Sequence, residues 1–304
     1  MNSQSVSELK EEQRTSLRSV LLGIADDELI MGHRHSEWTG WAPHIEEDIA
    51  FSSIAQDEIG HANLYYQLIA ELDQTSVDMI ALGRTAGQYT NAVICERPNR
   101  DWAFTLARHF LYEVAERIRL ESFRSSSFKP LADASAKLLN EERYHEMHAD
   151  AWLRRLASGP VEGRTQLETA IGDALGESAG LFEPYQLESE ALGSGFLPSS
   201  SMELLHVWLE EVCSRIEDAG LPFNISPAPI GEVVPTASGA LMGDASSDES
   251  VPAAKPAIQR KDGLWIIEGP LPGSGGRLGQ HSAEFQDLWD DLTRTYREEP
   301  QATW

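Results

Sequence analysis

Residues 51–66 read FSSIAQDEIGHANLYY and residues 139–156 read LNEERYHEMHADAWLRRL. Each stretch holds a Glu-x-x-His motif, Glu58 with His61 and Glu142 with His145, in a run whose apolar residues recur at three- and four-residue intervals. Residues i and i+3 share a helix face, so the carboxylate and imidazole of each motif can reach one point. Around the first motif, Ile54, Ala55, Ile59, Ala62 and Leu64 have the spacing of core-facing residues. A Glu and a His buried beside them need a compensating partner, and a metal ion would supply it.

Outward from the motifs, Glu28 precedes Glu58 by 30 residues and Glu113 precedes Glu142 by 29. The two halves are pseudo-repeats, each a helical hairpin carrying one Glu on its first helix and Glu-x-x-His on its second. Helices are predicted over 8–38, 45–72, 101–123 and 131–156. TGWAPH (39–44) forms the first turn, residues 73–100 the crossover, and Ser158-Gly159-Pro160 the final stop. Further helices are predicted over 166–190 and 201–219. The expected fold is all-α, a four-helix bundle with additional C-terminal helices. Residues 1–220 form the expected bundle. Residues 221–262, rich in Pro, Ser and Ala, form a long loop. Residues 263–304 hold the apolar stretch LWIIEG (264–269) and an amphipathic helix over 281–297 that packs on the bundle.

Two such hairpins facing each other gather Glu28, Glu58, His61, Glu113, Glu142 and His145 into the ligand set of a di-iron or di-manganese carboxylate site. Four carboxylates neutralise two divalent ions, and one neutral imidazole per metal leaves positions open for oxygen; iron and manganese suit the same ligands. Asp57 and Glu141 directly precede the motif glutamates and are candidate acceptors of the imidazole N–H across the bundle. Glu116 shares a helix face with Glu113 and is the alternative third-helix ligand, otherwise a surface group or one that supports the ligands. His33, His35 and Glu37 read as a polar helix end, and His148 as a surface or supporting histidine. Trp38, Trp41, Trp102 and Trp152 read as packing residues, and Arg34, Arg108, Arg117 and Arg143 as surface ion-pairing residues.

Composition excludes several functions. The 304 residues carry 24 Lys+Arg against 49 Asp+Glu, a formal net charge of −25 that repels nucleic-acid phosphates and anionic lipid. No run of about 18 apolar residues occurs. The N-terminal MNSQSVSELKEEQ has neither a secretory apolar stretch nor an Arg-rich transit pattern, and the two cysteines, Cys95 and Cys213, suggest no disulfide framework. A cytoplasmic protein without nucleic-acid or membrane partners is expected.

Three stretches carry a resemblance: 32–66 (GHRHSEWTGWAPHIEEDIAFSSIAQDEIGHANLYY), 102–120 (WAFTLARHFLYEVAERIRL) and 139–156 quoted above. They resemble the ferritin-like subunits of bacterial phenylacetyl-CoA epoxidase, the multicomponent oxygenase of phenylacetate catabolism. SEWTGWAP and the tail GGRLGQHSAEFQDLWDDLTRTYREEPQATW (275–304) look like that family's structural, non-catalytic subunit, whose familiar form lacks the second-helix ligands. Here Glu58 and His61 match the catalytic subunit's motif, as do Glu28, Glu113, Glu142 and His145. The resemblance implies a ferritin-like bundle with two iron ions, a homologous ferritin-like subunit as partner in a homo- or hetero-oligomer, an aromatic acyl-CoA substrate and a reductase. It leaves two roles: a catalytic monooxygenase component, or a scaffold subunit paired with a catalytic homologue.

Overall fold

A computed structural model describes residues 9–221, 233–234, 257–300 and 302. Two long helical hairpins form the framework: α1 (Glu11–Ser36) with α2 (Ile45–Asp73), and α5 (Trp102–Phe123) with α6 (Lys129–Ala157). Between them lie α3 (Val77–Ala81), a 3-10 turn (Ala86–Gln88) and α4 (Val93–Glu96). The crossover expected over 73–100 is therefore partly helical. After α6 come α7 (Val161–Ser178), a 3-10 turn (Ala179–Phe182), α8 (Glu188–Gly193) and α9 (Ser201–Asp218). The fold is an all-α, ferritin-like bundle with added C-terminal helices.

Local chemistry sets the helix ends. Helix α1 opens with Glu11 and Glu12 and has Arg34 in its last turn, charges that complement the helix dipole. The Asp101 carboxylate accepts from Phe104 N at 2.8 Å to cap α5. At α9, Ser200 and Glu203 form a reciprocal capping box. The helix expected over 166–190 ends instead at Ser178, with the chain tightening into the 3-10 turn. Pro184 then holds Glu183 in an extended conformation, and a new helix starts only at Glu188.

Helices α1 and α5 are buried on nearly every side, because α2, α4 and α8 surround the first, and α6, α7 and α9 surround the second. One consequence is the run Asp26-Asp27-Glu28, three successive acids that are each fully buried. Successive helical residues turn by about 100°, so the three carboxylates leave in different directions. Asp26 accepts from the Arg84 guanidinium (2.9 Å to Nη1), from Tyr66 OH (2.7 Å) and from Thr90 N (2.7 Å). Asp27 accepts from Arg119 (2.7 Å), Arg277 (2.6 Å) and Ala92 N (2.7 Å). Glu28 points into the bundle interior.

The chain beyond α9 contains strands β1 (Val233–Val234), β2 (Ala257–Lys261), β3 (Leu264–Glu268) and β4 (His281–Ser282), then α10 (Phe285–Glu298). LWIIEG is thus a strand, paired antiparallel with β2 through Asp262-Gly263, both at positive φ (52° and 87°) as a two-residue hairpin turn requires. The hairpin straddles residue 262, where the loop was expected to end. Most of that loop (222–232 and 235–256) lies outside the described residues.

The tail is fastened by polar groups as well as by apolar packing. Arg277 reaches Asp27, and it also donates to the carbonyls of Gly23 (2.8 Å), Thr90 (2.7 Å) and Leu181 (3.1 Å). The Glu183 carboxylate accepts from Gly275 N and Arg277 N, at 2.8 and 3.0 Å. Gly276 passes so close to Asn91 that a Cβ would stand 2.1 Å from its carbonyl oxygen.

Other expectations are corrected by burial. Ile59 is 41% exposed and Trp41 81% exposed, so neither belongs to the core. Leu64 is half-buried at the core's edge. Trp38, Trp102 and Trp152 do pack, around Phe51, at the end of the bundle where the α1–α2 turn lies. Both cysteines are free and buried. Breaking one partner out of a buried ion pair costs about 3–5 kcal/mol. Arg277→Ala should therefore lower the unfolding free energy by about that amount, measured by urea denaturation.

Candidate metal centre

Each of the four framework helices delivers acidic or histidine side chains to one interior point: Glu28 from α1, Glu58 and His61 from α2, Glu113 from α5, Glu142 and His145 from α6. None of the six is more than 2% exposed. Their ligating atoms fall into two groups, Glu28–His61–Glu142 and Glu58–Glu113–His145, with all atoms of a group within 4.8 Å of one another. This grouping differs from the expectation that each motif's Glu and His meet at one point. The Glu of one motif joins the His of the other, because α2 and α6 face each other across the bundle. Glu142 lies between the groups, its Oε1 3.0 Å from His61 Nδ1 and 3.6 Å from His145 Nδ1.

Asp57 and Glu141 sit at the half-exposed seam between α2 and α6. His61 Nε2 hydrogen-bonds Glu141 Oε2 at 2.9 Å, and His145 Nε2 hydrogen-bonds Asp57 Oδ2 at 3.3 Å. These reciprocal contacts hold the outer nitrogen of each ring and turn Nδ1 inward. The spacing of the motifs had pointed to both partners.

Further groups behind the ligands had not been expected there. Tyr112 OH donates to Glu28 Oε1 at 3.1 Å. His35 is fully buried rather than part of a polar helix end, with Nδ1 3.1 Å from Glu58 Oε2. His109, also fully buried, has Nδ1 3.0 Å from Glu113 Oε1. Its Nε2 lies 3.3 Å from His148 Nδ1, and His148 Nε2 lies 2.8 Å from Glu47 Oε2 at the edge of the bundle. The His109–Glu113 spacing of one helical turn was a readable signal, whereas the His35–Glu58 contact joins two helices and had none.

Glu116 is buried rather than at the surface, and it pairs with Arg119 at 2.5 Å. Arg34 and Arg108 are buried too, contrary to their reading as surface ion-pairing residues. Arg34 donates to Glu96 O and pairs with Glu37 at 2.6 Å, while Arg108 donates to Arg97 O and to the Asn99 side chain. Arg117 does join a partly exposed network with Glu121, Glu146 and Glu211, and Arg143 is exposed. His33 lies beside the tail helix, 3.8 Å from Asp291.

Burial and mutual repulsion of the carboxylates dominate the electrostatics of the cluster. Burial, followed by the neighbouring Glu116, pushes the Glu28 carboxyl well above the usual range. Burial, with Glu142 and Glu58 nearby, does the same to Glu113. Burial alone would lower both site imidazoles, but their contacts with Glu142 and other carboxylates outweigh it. His61 is pushed up to about 12 and His145 to about 9. Burial opposes ionisation of Glu142, yet His145 and His61 hold its carboxyl below the usual range. His109 is driven well down by burial and by its neighbours His35 and His148, so its imidazole is neutral.

Both carboxylate oxygens of Glu58 and of Glu113, one each of Glu28 and Glu142, and Nδ1 of His61 and of His145 are buried without a hydrogen-bond partner. Eight unpartnered polar atoms from six residues converging on two points fit two divalent cations, whose charge and coordination would satisfy them.

Such a fold and ligand set define a ferritin-like carboxylate–histidine protein. The chain belongs to the phenylacetic acid catabolic protein family, whose model matches residues 1–228. It is 30% identical over 206 residues to the C component of 1,2-phenylacetyl-CoA epoxidase from Escherichia coli (strain K12), an overlap covering 67% of this chain and 83% of that relative. Among the described residues no helix is long and apolar enough to cross a membrane.

A divalent cation held here would compete with protons. Without metal, His61 and His145 bind protons more tightly in the folded chain than at their ordinary value of 6.5, so their stabilisation is complete below it and lost as pH rises through about 9 for His145. The raised carboxyls of Glu28 and Glu113 likewise weaken the metal-free fold as pH rises above their ordinary range. Binding of a divalent cation would require those protons to leave, so its affinity would rise with pH. The gain in melting temperature on adding Mn(II) should therefore grow between about pH 6 and pH 8.5, as read by calorimetry.

Proposed function

We propose that the chain is a di-iron carboxylate oxygenase component of the phenylacetyl-CoA epoxidase type, acting in aerobic breakdown of phenylacetate or a related aromatic acyl-CoA. The observation that carries this reading is the pair of buried Glu–Glu–His groups with unpartnered ligand atoms. Family membership and the similarity to one part of an epoxidase supply the pathway.

Two ferrous ions held by Glu28, Glu58, His61, Glu113, Glu142 and His145 would supply oxygen chemistry: one atom of dioxygen to the aromatic ring, the other to water, with two protons and two electrons from a reductase. The chain's own part is positional and electrostatic. Its four carboxylates offset the charge of two divalent ions. Asp57 and Glu141 fix the tautomer and orientation of His145 and His61. Near-complete burial of all six ligands keeps bulk water from the reacting centre. Neutral His109 and the Glu116–Arg119 pair complete the site without adding net charge beside the ligands.

A second reading has its own support, because the relative is itself one subunit of its enzyme. The chain would then be a scaffold that organises a catalytic ferritin-like homologue, with its metal serving structure. Purified protein should contain about two equivalents of iron or manganese per chain, the number its two ligand groups can hold. The double variant Glu58→Ala/Glu142→Ala should lose that metal. In a complex reconstituted with the homologous ferritin-like protein and a reductase, the variant should lose epoxidation of phenylacetyl-CoA by at least about 100-fold, as expected when metal catalysis is removed. Retained epoxidation would assign the scaffold role. Metal-free wild-type protein that binds neither ion when they are added back would end both metal readings.

A further inference from the structure

We propose that His35 and His109 are positioning residues for one of the two metal positions, Glu58–Glu113–His145, and that they make the two positions unequal in affinity. This rests on the reading of the six-residue cluster as a metal centre.

The two groups differ in what stands behind their carboxylates. In the first, Glu28 receives the Tyr112 hydroxyl at 3.1 Å, and the nearby Glu116 is balanced by Arg119. In the second, each carboxylate faces an imidazole: Glu58 Oε2 faces His35 Nδ1 at 3.1 Å, and Glu113 Oε1 faces His109 Nδ1 at 3.0 Å. Each contact brings nitrogen and oxygen together without hydrogen-bond geometry, and none of these four atoms has another polar partner. Neither imidazole can easily swing away. The His35 ring stands edge-on to Phe51 and to His109, with centroids 5.1 Å apart in both pairs. His109 is held from behind by His148, which is in turn held by Glu47.

A carboxylate packed against an immobile imidazole has fewer orientations to lose when it meets a cation. Glu58 and Glu113 are therefore preset, and removing the imidazole contact should weaken their position alone. Outer contacts of this kind are worth roughly 10–100-fold in metal affinity. The path from Glu113 through His109 and His148 to Glu47 gives this position a second link to the edge of the α2–α6 seam, beside the His145–Asp57 contact.

The test is an anaerobic titration of the metal-free full-length chain with Co(II) alone, followed by visible absorption, whose bands report the geometry of each occupied position. Wild-type protein should bind two equivalents in two resolved steps. Glu28→Ala should abolish one step and Glu58→Ala the other, which assigns them. His35→Leu and His109→Leu should each weaken the Glu58-dependent step by roughly 10–100-fold and leave the Glu28-dependent step unchanged. His109→Asn, whose side-chain amide keeps a polar group where Nδ1 stands, should recover most of the loss. Thermal melting of each metal-free variant confirms that it is folded.

The proposal is overturned if wild-type protein fills both positions in a single step, if the Leu variants weaken both steps equally or neither, or if a third equivalent binds through the two histidines. It is equally overturned if His109→Asn behaves like His109→Leu. Two-metal binding indifferent to His35 and His109 would remove only this assignment, whereas absence of any cobalt binding would remove the metal centre itself.

Discussion

Burial of four carboxylates and two imidazoles at the centre of a helical bundle is the constraint from which the rest of this structure follows. Taking one carboxylate out of water is costly, and four beside each other also repel. The metal-free chain meets this by holding protons on Glu28 and Glu113 and on both histidines, with Glu142 ionised between them. Two divalent cations would meet it more fully, since they satisfy the unpartnered atoms as well as the charge.

A second set of buried charges surrounds the first and serves the fold. Asp27 gathers Arg119 from α5 and Arg277 from the tail, and Arg119 also meets Glu116 beside Glu28. One guanidinium therefore joins the metal-site periphery to an ion pair that fastens the C-terminal segment. Asp26 makes a separate anchor with Tyr66 on α2 and with Arg84 and Thr90 from the segment joining the two hairpins. Three successive acids on α1 thus tie together the crossover, the tail and the candidate active centre. Such pairs contribute less net stability than apolar packing of equal volume, but each fixes one arrangement of its partners. A site in which interatomic distances matter to a few tenths of an ångström gains from that fixity.

Much of this was legible in the chain. The four framework helices, their hairpin pairing and the six candidate ligands follow from apolar periodicity and from Glu-x-x-His at two matching separations. Asp57 and Glu141 were legible because each directly precedes a motif glutamate and the two motif helices were expected to face each other across the bundle. His35 and the burial of Arg34 and Arg108 were not. Each depends on how far α1 and α5 are enclosed, and a polar residue near a helix end looks the same whether neighbouring elements cover it or leave it in water. The hairpin at 257–268 was missed for a related reason: LWIIE is short enough to suit strand or helix, and only pairing with residues 257–261 settles it.

The sequence by itself determined which residues lie on the inner faces of four helices, because that depends on spacing within one helix and on nothing beyond it. The tertiary structure alone decided how those faces meet. It placed Glu58 with His145 and Glu142 with His61, set two imidazoles behind one pair of carboxylates and a tyrosine hydroxyl behind another, and drove Arg277 from the far end of the chain onto Asp27. Those pairings depend on the offset and rotation of one helix against another. Packing of the whole core fixes these quantities, and no local run of residues encodes them.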